Sequence, residues 1–410
     1  MITCSLDLPA DQPLPRVVAK SVGLHPLLYR KRIERIDREA RPGDLVAVYA
    51  EDRLAGYGLV NPKAEIAVRM LSLGDQRPDE SWWRSRLETA VRLRREILRL
   101  EGVTDSYRVI HAESDGLPGL VVDKLGDVLS AECFSIGMYL RAEAILKLLS
   151  PLVGTKHTLI RTGPATLSQE GFEGPPIASD GLSPRVTIQE FGTRFRVDFA
   201  GGHKTGFFCD QRDNRRMLAS FCSGKSVLDL CCYSGGFAIQ AKKLGGAAEV
   251  TGVDLDEEPL ALARENANLN QVRVRFVQAD AFAYMRDMLA NGRQYDVVVL
   301  DPPKLIRNRA ELEEGTRKHF DLNRLAMQLV VGGGLMVSCT CAGLLAPDEF
   351  LRLIYAAARQ AGTEIAGSSP PRRAARTCQI LAKTGAAPDH PVAAHCPETE
   401  YLQAVWMRLV

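Results

Sequence analysis

From residue 211 onward, apolar positions alternate between short strand-like runs and helix-period stretches. Helices are predicted near 211–222, 235–244, 257–268 and 280–290, and strands at 226–230, 249–254, 273–277, 295–300 and 334–338. Repeated strand–helix pairs predict a parallel sheet covered on both faces, which takes ligands at the carboxyl ends of its strands. Residues 1–78 read differently. Short alternating segments at 45–49 and 65–69 lie between turn formers at Pro42-Gly43-Asp44 and Glu51-Asp52-Arg53, the pattern of a small β-domain. Across 79–104, Leu87, Val91, Ile97 and Leu100 stand near helical spacing between an acidic start and Gly102, which predicts one amphipathic linker helix. Between 105 and 200, strand-like runs at 120–123, 128–134, 157–161 and 185–199 surround a helical stretch at 140–149, a small mixed α/β module. The expected organisation is therefore α/β with divisions at 1–78, 79–104, 105–200 and 201–410, and the chain shows no internal repeat.

Length supports several modules, since 410 residues exceed the roughly 250 to 300 at which single cores stop growing. With 52 basic residues against 50 acidic ones the net charge is only +2, so any polyanion site must be local. One candidate is the cluster Arg30, Lys31, Arg32, Arg35, Arg38 and Arg41, which is either a solvated face or a phosphate-contacting surface. The apolar runs fall short of the roughly 20 residues of a membrane helix, and the N-terminus has no leader pattern, so a soluble, cytoplasmic chain with no membrane partner is expected. Ten cysteines include no C-x-x-C pair, so no metal is expected.

The chemistry-bearing residues gather at the predicted strand ends. The first strand carries Asp229 and runs into Cys231-Cys232-Tyr233-Ser234-Gly235-Gly236, whose glycines allow a ligand close to the backbone. This is not the G-x-G-x-x-G of a pyrophosphate cradle, and S-adenosyl-L-methionine, having no phosphate, needs none. Asp254 ends the second strand, placed to accept both ribose hydroxyls, and Asp280 follows the third, placed to accept from the adenine amino group. A lone strand-end Asp is more often a helix N-cap, but three in succession behind a glycine pair favour the cofactor. The fourth strand delivers Asp301-Pro302-Pro303-Lys304, whose prolines stiffen the backbone that holds Asp301 over the cleft. The fifth runs into Ser338-Cys339-Thr340-Cys341.

Carbon 5 of cytosine is a poor nucleophile. A thiolate that adds to carbon 6 makes an enamine whose carbon 5 can take a methyl group, with Asp301 hydrogen-bonding the pyrimidine at N3 or at its amino group. Residues 339 and 341 point the same way along an extended chain, so either thiol is a candidate, and two buried structural thiols are the plain alternative.

Several strings carry a family resemblance: Gly202-His203-Lys204-Thr205-Gly206-Phe207-Phe208, Asp210-Gln211-Arg212, Tyr233-Ser234-Gly235-Gly236-Phe237, Asp301-Pro302-Pro303-Lys304, Cys341-Ala342-Gly343-Leu344 and Asp389-His390-Pro391-Val392. With them the chain resembles the bacterial 23S ribosomal RNA cytosine-C5 methyltransferases of the large-subunit methyltransferase I type, over nearly its whole length. The resemblance implies an N-terminal PUA β-barrel, a central α/β domain and a Rossmann-like methyltransferase domain. It also implies Cys341 as nucleophile and a cofactor pocket of Phe208, Gln211, Asp229, Tyr233, Ser234, Gly235, Asp254, Asp280 and Asp301. Large-subunit ribosomal RNA is the implied partner, and homodimers are common among such proteins. Two departures stand out: Leu27 follows Pro26 where the family commonly has an aromatic residue, and Cys231-Cys232 replaces a commoner aromatic–serine pair. Methyl transfer to an exocyclic amino group or a small molecule, and a noncatalytic RNA-binding scaffold, are the rival readings.

Overall fold

A computed structural model describes residues 6, 9, 11–199, 206–362 and 376–410. They divide into two units, one of Met1–Gln189, Val197–Cys209 and Pro388–Thr399, the other of Glu190–Arg196, Asp210–Ala387 and Glu400–Val410. The stretch 202–205 of the His203-Lys204-Thr205 string lies outside the described residues.

In the first unit a six-stranded sheet runs in the order Leu27–Tyr29, Ile66–Leu73, Arg53–Val60, Leu45–Ala50, Arg16–Ala19, Ile33–Ile36. Val17, Val46, Val48, Val60 and Val68 fill its core, β-branched side chains on the inward face of short strands. A helix, Glu80–Arg92, follows. Asp79 caps it by accepting the Trp82 N–H at 2.8 Å, and Trp82, Trp83, Leu87 and Val91 form its buried face. The helix stops short of the predicted Gly102. It widens at Leu93–Ile97, where the Leu98 N–H donates to the Leu93 carbonyl, and ends at Arg99 with φ +52°. The widened turn holds Arg94, wholly buried and bonded to Asp115 at 2.6 and 2.9 Å and to the Asp389 carbonyl at 2.7 Å, while Ile97 is exposed. Tertiary demand for that guanidinium overrides the helical period. A five-stranded sheet, Ile177–Ala178, His157–Thr162, Val128–Cys133, Leu120–Leu125 and Ser106–His111 in spatial order, and the helix Ala142–Val153 complete the unit's main core.

The second unit is a seven-stranded sheet. Its strands are β1 (Ser226–Leu230), β2 (Glu249–Asp254), β3 (Arg275–Gln278), β4 (Tyr295–Leu300), β5 (Val330–Thr340), β6 (Cys378–Thr384) and β7 (Gln403–Leu409), in the order β3-β2-β1-β4-β5-β7-β6. β1 to β5 are parallel and β7 is antiparallel to both neighbours. The helices are α1 (Arg212–Ala219), α2 (Gly236–Lys243), α3 (Glu257–Leu269), α4 (Ala281–Ala290), α5 (Leu312–Gln328) and α6 (Pro347–Gln360). Alternate residues of each strand feed two cores. Leu228, Leu230, Val298, Leu300, Met336 and Met407 enter one, and Val227, Val297, Val299, Val337, Cys339 and Trp406 enter the other. Burial on both faces is why β1 and β4 read as nearly continuous apolar runs. The order reverses at β1, so the crevice between the carboxyl ends of β1 and β4 is where such a sheet takes its ligand.

Candidate active site

At the carboxyl end of β1 the chain takes left-handed conformations at Cys231 (φ +62°), Tyr233 (φ +48°) and Gly235 (φ +81°), an arrangement costly for the two side-chain-bearing residues. It is fixed by the carboxylates beside it. Asp254 accepts the Tyr233 N–H at 2.8 Å, and Asp229 accepts the Ala238 N–H at 2.9 Å at the start of α2. Ser234 is buried, and its carbonyl accepts from Asn266 at 3.2 Å. At Gly235 a Cβ would meet Ile239, Phe276 and Ala263 at 3.1 to 3.2 Å, so its smallness is also required by packing beneath the loop. Burial, then the charges of Asp254, Asp301, Asp229 and Asp280, push the Cys231 thiol up.

Their environments differ. Asp229 is 1% exposed, its Oδ1 makes no hydrogen bond, and burial drives its carboxyl well above the usual range. Asp280 is exposed and caps α4 by accepting the Ala283 N–H at 2.9 Å, the ordinary role of a strand-end Asp. Asp301 directly follows β4 and is half-buried, and its Oδ2 accepts the Gln211 side-chain amide at 3.0 Å. Gln211 itself is 4% exposed and is held by Asn214, whose Nδ2 donates to its Oε1 at 2.6 Å. An acidic loop with one buried carboxylate oxygen unpaired suits a cationic ligand such as S-adenosylmethionine, with Asp229, Asp254 and Asp301 as the groups that would hold it.

The two thiols of β5 part company. The strand ends at Thr340, so Cys339 stays inside it, fully buried in the core that also holds Val299 and Trp406, and burial raises its thiol well above the usual range. Cys341 lies beyond the last paired residue and is half-buried. Register pairs Leu300 with Ser338, which sets Asp301 level with Cys339 and two residues short of Cys341. The turn bearing Cys341 is pinned by Thr340, whose Oγ1 accepts the Ala342 N–H at 3.2 Å and lies 3.1 Å from Nε2 of the buried His319 on α5. His319 had no signal in sequence; a histidine in an amphipathic helix reads as surface or core.

Phe208, half-buried, belongs to the first unit. So do Arg30, Lys31, Arg32, Arg35, Arg38 and Arg41, of which Arg30, Arg35 and Arg38 line a cleft of about 400 Å³ together with the acidic Glu34 and Asp37 and with Ile33, Ile36 and Pro62. Among the described residues, His25, Cys396 and Glu398 bring three ligand-type atoms within 4.8 Å of one another. The Leu27 N–H donates to His25 Nδ1, which leaves the Nε2 proton for Glu398 at 3.2 Å, and the Cys396 thiol lies 3.5 Å from the same Glu398 oxygen. Among the described residues, no helix is long and apolar enough to cross a membrane.

The chain matches two family models, a PUA-like domain over residues 15–73 and an S-adenosylmethionine-dependent methyltransferase over residues 176–364. Among solved structures, a Streptococcus mutans protein assigned as an S-adenosylmethionine-dependent methyltransferase is 18% identical with a TM-score of 0.76, covering 96% of this chain and 99% of that one. A methyltransferase structure with bound S-adenosylhomocysteine is 19% identical with a TM-score of 0.77, covering 97% and 100%. Both carry the fold. The methyltransferase model fixes the cofactor as S-adenosylmethionine. Ribosomal RNA large subunit methyltransferase I of Aeromonas salmonicida is 35% identical over 391 residues, 94% of this chain and 95% of that protein. The protein of the same name from Klebsiella pneumoniae is 33% identical over 395 residues, 94% of each. By this similarity, sustained across both units, the chain belongs to the ribosomal RNA large subunit methyltransferase I family.

Proposed function

We propose that the protein methylates carbon 5 of a cytosine in large-subunit ribosomal RNA, with Cys341 as the nucleophile and Asp301 holding the base. One observation carries the choice of nucleophile: of the two thiols near Asp301, Cys339 is enclosed in the core and Cys341 opens to solvent past the end of β5. A thiol that must form and break a bond to a base needs that access.

When bound, S-adenosylmethionine supplies an electrophilic methyl group. The thiolate of Cys341 adds to carbon 6, and Asp301 accepts a hydrogen bond from the pyrimidine as charge shifts through the ring. Carbon 5, made nucleophilic, takes the methyl group; loss of its proton then restores the double bond and expels the thiolate. The base must first leave its stack, at a cost of a few kcal/mol as an order of magnitude, and the arginines of the PUA-like domain supply backbone contacts that offset it. The relatives named for ribosomal RNA of the large subunit support the choice of substrate.

The test is methyl transfer from labelled cofactor to ribosomal RNA by the unaltered protein, Cys339→Ala and Cys341→Ala, followed by digestion to nucleosides. Label in 5-methylcytidine that vanishes only with Cys341→Ala is expected. Label in another nucleoside, or transfer surviving both substitutions, overturns the thiolate route.

A further inference from the structure

The bond from Gln211 to Asp301 is the last link of a longer chain. Trp406 on β7 donates its indole N–H to Thr384 Oγ1 at 2.8 Å, and Thr384 donates its hydroxyl to Asn214 Oδ1 at 2.7 Å. Asn214 donates Nδ2 to Gln211 Oε1 at 2.6 Å, and Gln211 donates Nε2 to Asp301 Oδ2 at 3.0 Å. An indole N–H can only donate and an ionised carboxylate can only accept, so the two ends set the direction of every bond between them. Asn214 is locked further by donating to the Gly385 carbonyl at 3.1 Å, which keeps its oxygen toward Thr384. Trp406, Asn214 and Gln211 are each 4% exposed or less, so water competes little for these groups.

We propose that Trp406, Thr384 and Asn214 are positioning residues for Asp301, forming a one-way donor chain that presents its carboxylate to the substrate as an oriented, ionised acceptor. The proposal rests on the reading that Asp301 meets the target base. A hydrogen bond donated to the charged form of an acid favours that form, so the chain opposes protonation of Asp301 as well as its rotation. Without the Thr384 hydroxyl, Asn214 keeps only the Gly385 carbonyl to fix its orientation. Gln211, whose oxygen Asn214 holds, is then less firmly kept with its nitrogen toward Asp301. The antiparallel strands β6 and β7 thus act on the crevice through the Asn214–Gln211 segment without reaching it themselves.

The experiment compares Thr384→Val, Thr384→Ser, Asn214→Asp and Asp301→Asn in methyl transfer to ribosomal RNA across pH, with kcat and KM separated. Thr384→Val should lower kcat about five- to tenfold, the worth of one hydrogen bond. It should move the acid limb of the kcat profile to higher pH. Thr384→Ser, which keeps the hydroxyl, should restore both. Asn214→Asp, which puts an acceptor where the chain needs a donor, should lose more than Thr384→Val. If Asp301→Asn cripples transfer while Thr384→Val matches the unaltered enzyme, the relay is overturned. It is equally overturned if the Thr384→Val loss leaves the acid limb in place and Thr384→Ser does not recover it, since that is packing alone. If Asp301→Asn itself transfers normally, the underlying reading of Asp301 fails instead.

Discussion

Nε2 of His319 lies 3.1 Å from the hydroxyl of Thr340, the residue between the two thiols of β5, and the same hydroxyl accepts the Ala342 N–H across the turn that carries Cys341. The α5 helix thereby braces the turn of Cys341, the proposed nucleophile. His319→Leu should lower methyl transfer about tenfold, Thr340→Val by at least as much because it also takes the acceptor from the Ala342 N–H, and the double variant by no more than Thr340→Val, because the link between the two side chains is lost in either. Rates of the two single variants and the double variant would show it; additive losses would mean that the two residues act separately.

Two of the buried histidines, His319 and His111, make the fold acid-sensitive. Burial lowers His319 from 6.5 to about 4; burial first, then Arg108, lowers His111 from 6.5 to about 2. In each case the folded value lies below the unfolded one, so the unfolded chain binds more protons in the interval between them. Stability is fully present above 6.5 and falls as pH drops, by about 1.4 kcal/mol per pH unit for each histidine. His319 contributes down to about 4 and His111 further, to about 2. Urea unfolding between about pH 7 and pH 4 should show this slope, and His319→Leu should reduce it.

In the second unit, Glu190 and Arg215 form a wholly buried ion pair, with Arg215 donating Nε at 2.8 Å and Nη2 at 2.6 Å, and Gln240 adding a bond at 3.2 Å. Glu190→Ala strands a buried guanidinium and should cost about 3 to 5 kcal/mol. Glu190→Ala with Arg215→Met should cost less than Glu190→Ala alone. Chemical denaturation of both variants decides it.

Removing Arg30, Arg35 and Arg38 together should weaken RNA binding at every sequence. It should also flatten the dependence of log K on log salt by about 0.7 to 0.9 for each phosphate no longer neutralised. Binding titrations over a range of salt would measure it; an unchanged slope would mean that this cleft does not hold the RNA backbone.

The parts of this fold that could be read from residues alone are those in which local pattern and tertiary need agree. β1, β2 and β4 begin and end where their apolar runs do, because both faces of a parallel strand are buried. β5 is longer than its predicted 334–338, since Gly332, Gly333 and Gly334 look like a break and yet lie within the strand. β6 escaped notice because its residues 378–384 mix apolar and polar types and its inward positions are only half-buried. Strand-end carboxylates were legible at the site because they follow apolar runs. The difference in burial between Cys339 and Cys341 was not, because strand periodicity treats them alike until the pairing stops at Thr340. Nor could Thr384 and Trp406 be connected with Asp301, since indole, hydroxyl and amide links so distant in sequence leave no spacing to find.

The order in which the two units receive their last pieces bears on how the protein is made. Pro388–Thr399 belongs to the first unit, and Glu400–Val410, including β7 between β5 and β6, belongs to the second. Neither unit can be finished from residues emerging earlier, although most of the first is translated before any of the second. While this chain is being made, each unit therefore keeps an open place until residues 388–410 have emerged.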